Sequence, residues 1–151
     1  MSIYKGNIII NYPIEKVFKV FIDLNKQQIP KFNDKNPTEV SYKKVVKTVG
    51  KQKIEMVTTI TGFEKDNLYE VTNTINKDKY VSRYEFKGID SSSTEISLSE
   101  SQEIYAFSSS LTLLFEKITA KKKMKNKLEG IREALELEIK RRYKESNDSI
   151  K

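Results

Sequence analysis

The spacing of apolar residues along these 151 positions changes period twice, from two to helical and back, before a final helical stretch. Ile8 and Ile10 alternate with Asn7, Ile9 and Asn11, so Ile3 to Asn11 reads as a strand with one apolar face. From Pro13 the period lengthens: Ile14, Val17, Phe18, Phe21 and Ile22 recur at helical spacing, with Lys16, Lys19 and Asp23 between them. Pro13 presets φ, Glu15 meets the positive helix end, and Asn11 is placed to cap. This helix is expected to close near Leu24 or Asn25. Ile29, Phe32 and the prolines at 30 and 37 then predict a short second helix or turn, inside a connection (Gln27 to Thr38) long enough to serve as a lip.

Period two returns for Glu39 to Val49, Lys53 to Phe63, Leu68 to Asn76, Lys79 to Lys87 and Thr94 to Tyr105. The turn formers Gly50-Lys51, Lys65-Asp66-Asn67, Asn76-Lys77-Asp78 and Gly88 to Ser93 separate them. Connections this short require antiparallel neighbours, because parallel strands need long crossovers. Ser108, Ser109 and Ser110 are candidate caps for a last helix whose inner face runs through Leu111, Leu114, Phe115, Ile118, Lys122, Met124 or Lys125, Leu128, Ile131, Leu135, Ile139 and Tyr143. At 1.5 Å per residue that face is about 50 Å long, so a kink or break near Ala120 to Lys123, or a protruding end, is expected. Gly130 in mid-helix costs about 1 kcal/mol relative to alanine. Either the sheet approaches closely there, or room is kept for a ligand. The prediction is an α+β chain in the order β-α-α-β-β-β-β-β-α, a curved six-stranded antiparallel sheet around a long terminal helix. One domain over 1–146 is expected, with 147–151 a frayed tail.

Such a sheet encloses an apolar space, so its inward side chains are the candidate ligand contacts. If Ile96 and Leu98 face inward, so do Glu100 and Gln102. The neighbouring rows are Tyr80, Ser82, Tyr84 and Phe86, then Tyr69, Val71, Asn73 and Ile75, then Met56, Thr58 and Ile60. A slip of one residue in any strand reverses its row. The candidate set is Met56, Thr58, Tyr69, Asn73, Tyr80, Tyr84, Leu98 and Glu100, with Phe115 and Ile118 from the last helix. Glu100 must be protonated, paired or set at the mouth, since an unpaired buried carboxylate is costly. As a general base or ligand acceptor it is the one residue that supports an enzyme reading; turned outward or paired with a lysine it supports none. Asn73 either recognises a ligand or satisfies the backbone. On the opposite face Arg83 and Glu85 with Lys79 and Lys87 form an ordinary solvated surface.

Composition narrows the chemistry. With no Cys and no His, disulfides, thiolate nucleophiles, serine–histidine triads and the usual zinc sites are excluded. The five glycines are scattered singly and build no phosphate loop, and no calcium loop occurs. No metal or cofactor is called for. The formal charge of +7 invites a nucleic-acid reading, and residues 116 to 145 alone hold eleven Lys or Arg against six Glu. Most of these fall between apolar positions, as on the wet face of a packed helix, and aromatics do not interleave with them, so solubility is the favoured explanation. No run approaches the length of a membrane span, and MSIYKGNIII has no leader pattern, so a cytoplasmic location is expected.

The opening GNIIINYPIEKVFKVFIDL and the closing LEGIREALELEIKRR, with the order of elements between them, resemble the START-like, or SRPBCC, superfamily, and more narrowly an uncharacterised branch from low-GC Gram-positive bacteria. The resemblance implies a helix-grip fold and a cavity between sheet and last helix for a hydrophobic or amphipathic small molecule. It carries no catalytic signature, and the ring-hydroxylase branch is excluded because its iron needs histidines. A cyclase or hydrolase acting through a polar pocket residue, and an interaction module or homodimer with a filled core, stand as alternatives.

Overall fold

The computed structural model describes residues 2–29, 32, 35–103 and 110–148, and for 2, 39, 46, 47, 49, 110–120 and 144–148 the backbone only. Its elements are β1 (Ser2–Ile10), α1 (Ile14–Lys26), a 3-10 turn at Pro37–Glu39, β2 (Ser41–Val49), β3 (Gln52–Glu64), β4 (Leu68–Ile75), β5 (Asp78–Asp90), β6 (Ser93–Glu103) and α2 (Ser110–Asp148). All six strands pair antiparallel in one sheet of order β1-β6-β5-β4-β3-β2, which brings the first strand against the last. This is the expected helix-grip: a meander closed by β1, with both helices on one face.

Short local interactions set the element ends, not always as the sequence implied. Pro13 stands outside α1 as its extended N-cap residue, and its carbonyl accepts from the backbone N–H of Lys16 and Val17. Asn11 is exposed and α1 has no side-chain cap, so the backbone turn replaces the cap assigned to Asn11. Between Gln27 and Val40 the described residues show one 3-10 turn in place of a second helix; 30, 31, 33 and 34 lie outside them. Strand β5 runs past its expected end at Lys87 to Asp90, and β6 begins at Ser93 in place of Thr94, so the two meet in a tight turn where Asp90 accepts from the Ser92 backbone and hydroxyl. Asp66 and Asn76, at φ 59° and 54°, take the left-handed turn positions that suit Asp and Asn.

The core lies between the concave sheet face and the helices. Helix α1 buries Val17, Phe18, Val20, Phe21 and Ile22, a wider stripe than its helical spacing alone marks out, because both the sheet and α2 cover it. Among the described side chains of α2, Met124, Leu128, Leu135 and Ile139 are buried; Lys122 and Lys125 are exposed, so Met124 takes the inward position. No break interrupts α2, which runs 39 residues, about 58 Å. The cap positions Ser108 and Ser109 lie outside the described residues.

Two anchors hold α2. Near its middle it crosses β1 at Gly6, where a Cβ would stand 2.6 Å from Leu128 Cδ1 and 3.0 Å from Met124 Cγ. Gly130 makes no such approach: it is exposed, and a Cβ there meets nothing within 4 Å. The glycine that close packing requires is therefore the one in the strand. Further along, Arg142 donates to Asp23 Oδ2 at 2.7 Å and to Glu138 Oε1 at 2.8 Å, while Lys19 donates to Asp23 at 3.1 Å, tying α2 to α1. Burial raises the Asp23 carboxyl, but the hydrogen bonds from Arg142 and Lys19 outweigh it and the net shift is downward. Hydrogen bonds from Arg141 and Arg142 bring Glu138 down to about 2.

Both carboxyls titrate lower in the folded chain than in the unfolded one, so their contribution is present above the unfolded values, near 4, and is lost as pH falls through the folded ones. Arg142→Gln should therefore be less stable than the wild type at neutral pH. The difference should shrink between about pH 4.5 and 2 in urea midpoints measured across that range. Gly6→Val should destabilise by roughly 1–3 kcal/mol through overpacking, whereas Gly130→Ala should stabilise by up to about 1 kcal/mol, both read from the same midpoints.

Candidate functional site

Cross-strand register places eight of the ten sequence candidates on the concave face. One row reads Tyr42–Thr58–Asn73–Tyr80–Gln102, the next Ile60–Val71–Ser82–Glu100–Tyr4, and the third Phe63–Tyr69–Tyr84–Leu98–Gly6. Met56 lies two residues before Thr58 on the same face and is half-buried. Phe115 and Ile118 sit on α2, but their side chains lie outside the described residues. Phe63 was not foreseen. The bulge between Ile60 and Gly62 adds one residue to β3, so Phe63 rather than Gly62 turns inward opposite Tyr69. A bulge leaves no mark in a period-two reading except the failure of its alternation.

The concave face has two unlike halves. At the Phe63–Gly6 row and beyond, it is filled. Phe21 packs its ring 4.9 Å from Tyr84, 5.1 Å from Phe86 and 5.5 Å from Tyr69, and Phe18 adds contacts to Phe86 at 5.0 Å and Phe63 at 5.7 Å. The angles are mostly edge-to-face, the favoured geometry for such pairs. Inside this cluster the Tyr69 hydroxyl is buried with no hydrogen-bond partner among the described residues. Burial drives its acidity well below that of an ordinary tyrosine, and the nearby Tyr84 and Tyr42 add to the effect.

The other half is polar, and apart from the buried Thr58 and Ile60 its side chains are only half-buried. Thr58 donates its hydroxyl to Asn73 Oδ1 at 2.6 Å, across β3 and β4. Ser82 donates to Glu100 Oε2 at 3.2 Å, and Lys127 of α2 reaches the same oxygen at 3.0 Å. Glu100 thus takes the lysine-paired state that the sequence left open. For Lys127, burial works against the ammonium, but Tyr84 and Glu100 outweigh it and hold its pKa above the usual lysine value. Its ammonium stands 6.0 Å from the centre of the Tyr84 ring. Asn73 is satisfied by a side chain and not by backbone, a pairing between strands that no single-strand reading could supply.

Two apolar clefts lined by described residues are open to solvent. One, of about 260 Å³, lies between the end of α1 and α2, against Phe21, Leu24, Lys127, Gly130 and Leu135. The other, of about 670 Å³, lies outside the concave face, between α1, the β3–β4 turn and Tyr143. The closed cavity that the sequence implied is not seen among the described residues. Gly130 borders the first cleft. Among the described residues no helix is long and apolar enough to cross a membrane, and no cluster of acidic side chains could hold a metal ion.

A six-stranded antiparallel sheet gripping a long C-terminal helix is the START-like, SRPBCC type of fold, and comparison with solved structures agrees. A protein of unknown function, SA2116, from Staphylococcus aureus superposes with a TM-score of 0.62 at 14% identity, over 95% of this chain and 97% of that one. Ara h 8.0201 gives 0.55 at 14% identity, over 91% and 97%. The Zhui aromatase/cyclase from Streptomyces sp. R1128 gives 0.54 at 9% identity, over 94% and 95%. The chain belongs to the family described as "Domain of unknown function (DUF3284)", whose model matches residues 1–121. No functionally curated protein matches it.

The orphan hydroxyl makes a direct prediction. Tyr69→Phe removes a buried polar atom without changing the ring packing, and should stabilise the ligand-free protein by about 1 kcal/mol in urea unfolding.

Proposed function

We propose that this protein binds an amphipathic small molecule on the polar half of its concave face, beneath the first half of α2. The observation that carries this reading is the division of that face. Phe21 and its aromatic neighbours fill one end. The other end keeps half-buried polar side chains, Asn73, Tyr80, Ser82 and Glu100, on a sheet face that a helix-grip turns toward its long helix. Asn73 and Glu100 spend only part of their hydrogen-bonding capacity on Thr58, Ser82 and Lys127, and a purely apolar guest would strip water from the rest, at a cost of about 1–3 kcal/mol for each donor or acceptor left unpaired. A guest with hydroxyl, carbonyl or carboxyl groups satisfies them instead, while Met56, Ile60 and Val71 supply apolar contact.

The fold shared with an aromatase/cyclase is compatible with this reading and does not decide between carrier and catalyst. In the ligand-free chain Glu100 is engaged by Lys127 and Ser82, which suits a polar clamp better than a free general base. Thr58, Asn73, Tyr80 and Glu100 are assigned to ligand polar groups and Met56 to its apolar body, while Tyr84 and Leu98, in the filled row, form the wall behind it. Tyr69 is placed at the floor, where its hydroxyl becomes reachable only if the Phe21 ring moves.

Native mass spectrometry of the full chain, under gentle and then denaturing conditions, tests the proposal. A small molecule should be retained in the first spectrum and released in the second. Asn73→Leu should cut its occupancy by roughly tenfold, the effect of losing one well-placed hydrogen bond, and Thr58→Val/Asn73→Leu, which removes the buried hydroxyl together with its acceptor, should cut it as far with a smaller loss of urea midpoint than Asn73→Leu alone. Ligand-free spectra for all three proteins, or equal occupancy in all of them, would overturn the assignment.

A further inference from the structure

The net charge of α2 is not spread along it. Residues 116–127 hold six lysines and one glutamate, whereas 128–145 hold five basic and five acidic residues. In the second half the charges pair off, as in Arg132–Glu129, Arg141–Glu138 and Arg142–Asp23. In the turn AKKKMKNK only Met124 is buried, and Lys121, Lys122, Lys123 and Lys125 are exposed without an ion pair among the described residues. At 100° per residue Lys121, Lys122 and Lys125 fall within about 100° of the helix circumference, an arc centred about 110° from Met124 with Lys121 at its near edge. A solvated helix face chosen only for solubility would not need one sign of charge concentrated in two turns.

The position of this turn is informative. Met124 and Leu128 lie over Gly6, Lys127 reaches Glu100, and the later residues of α2 pack on α1. The lysine turn therefore precedes the crossing of β1 and lies toward the sheet end with the Tyr42–Gln102 row, the polar half of the concave face. Directly before it runs the sequence LTLLFEKI, the most apolar stretch of the helix.

We infer that the turn Lys121–Lys125 docks the protein on an anionic phospholipid bilayer, holding the open half of the concave face against the membrane surface. Clusters of four or more lysines on a helix gain roughly a factor of five each from an anionic leaflet, screened within a Debye length. A bilayer fits better than a nucleic acid. The cations are lysines rather than arginine forks, no aromatic stands among them to stack on a base, and they adjoin a site suited to amphipathic molecules. The inference rests on the proposed binding site for what is collected, but not for the docking itself.

Flotation of the full-length protein with phosphatidylcholine vesicles, with and without phosphatidylglycerol, tests it. Binding should require phosphatidylglycerol and weaken with added salt. The triple variant Lys121→Gln, Lys122→Gln, Lys125→Gln should lose on the order of 100-fold in affinity. The triple variant Lys5→Gln, Lys65→Gln, Lys87→Gln, with the same charge loss on exposed positions of the outer sheet face and the opposite sheet end, should stay within a few-fold of wild type. Equal losses in both variants, no binding to phosphatidylglycerol vesicles, or displacement of the protein from them by an equal charge concentration of single-stranded oligonucleotide would overturn it. Ligand occupancy by native mass spectrometry keeps the two readings apart: a loaded protein that ignores vesicles sinks the docking alone, and a ligand-free protein that binds them sinks the carrier reading alone.

Discussion

Phe21 decides what the concave face can do. Its ring, carried on α1, stands within about 5.5 Å of Tyr69, Tyr84 and Phe86 and fills one end of the space between sheet and helices. Tyr69, Tyr84 and Phe86 meet its ring directly, and Phe18 and Phe63 extend the cluster through further edge-to-face contacts. Because that end is packed solid, the six-stranded sheet is not a uniform trough. It is a floor with one closed end and one polar end.

The two anchors of α2 stand on the same division. At Gly6 the absence of a side chain lets Leu128 and Met124 settle on β1, and Arg142 locks the far end to Asp23 of α1. Between them Lys127 reaches across to Glu100 and the Tyr84 ring, at the boundary of the filled and polar halves. The half of α2 beyond Gly6 is held by packing and balanced ion pairs; the half before it carries the unbalanced lysines. Structure and charge change over at one point on the helix.

The rows of inward residues were legible because period two fixes the face of every residue once one is known, and Ile96 with Leu98 marked the core side. Phe63 was not legible, since the bulge before it breaks the period at one residue. The pairing of Thr58 with Asn73, and of Glu100 with Lys127, joins residues 15 and 27 positions apart, a distance over which no local pattern reaches. Gly130 drew attention as a helix breaker, while Gly6 passed as an ordinary strand residue; only the crossing of α2 distinguishes them.

The sequence by itself determined the six strands and the two long helices, the antiparallel order and, away from the β3 bulge, the face each strand buries, because these depend on periodicity and turn chemistry within a few residues of one another. It also excluded thiolate and imidazole chemistry, which needs residues the chain does not have. Only the tertiary structure decided that Phe21 closes one end of the face, that Glu100 is held by Lys127, and that α2 touches β1 at Gly6. Those are contacts between side chains brought together by the path of the whole chain, and a pattern of residues carries no information about a distance until that path is fixed.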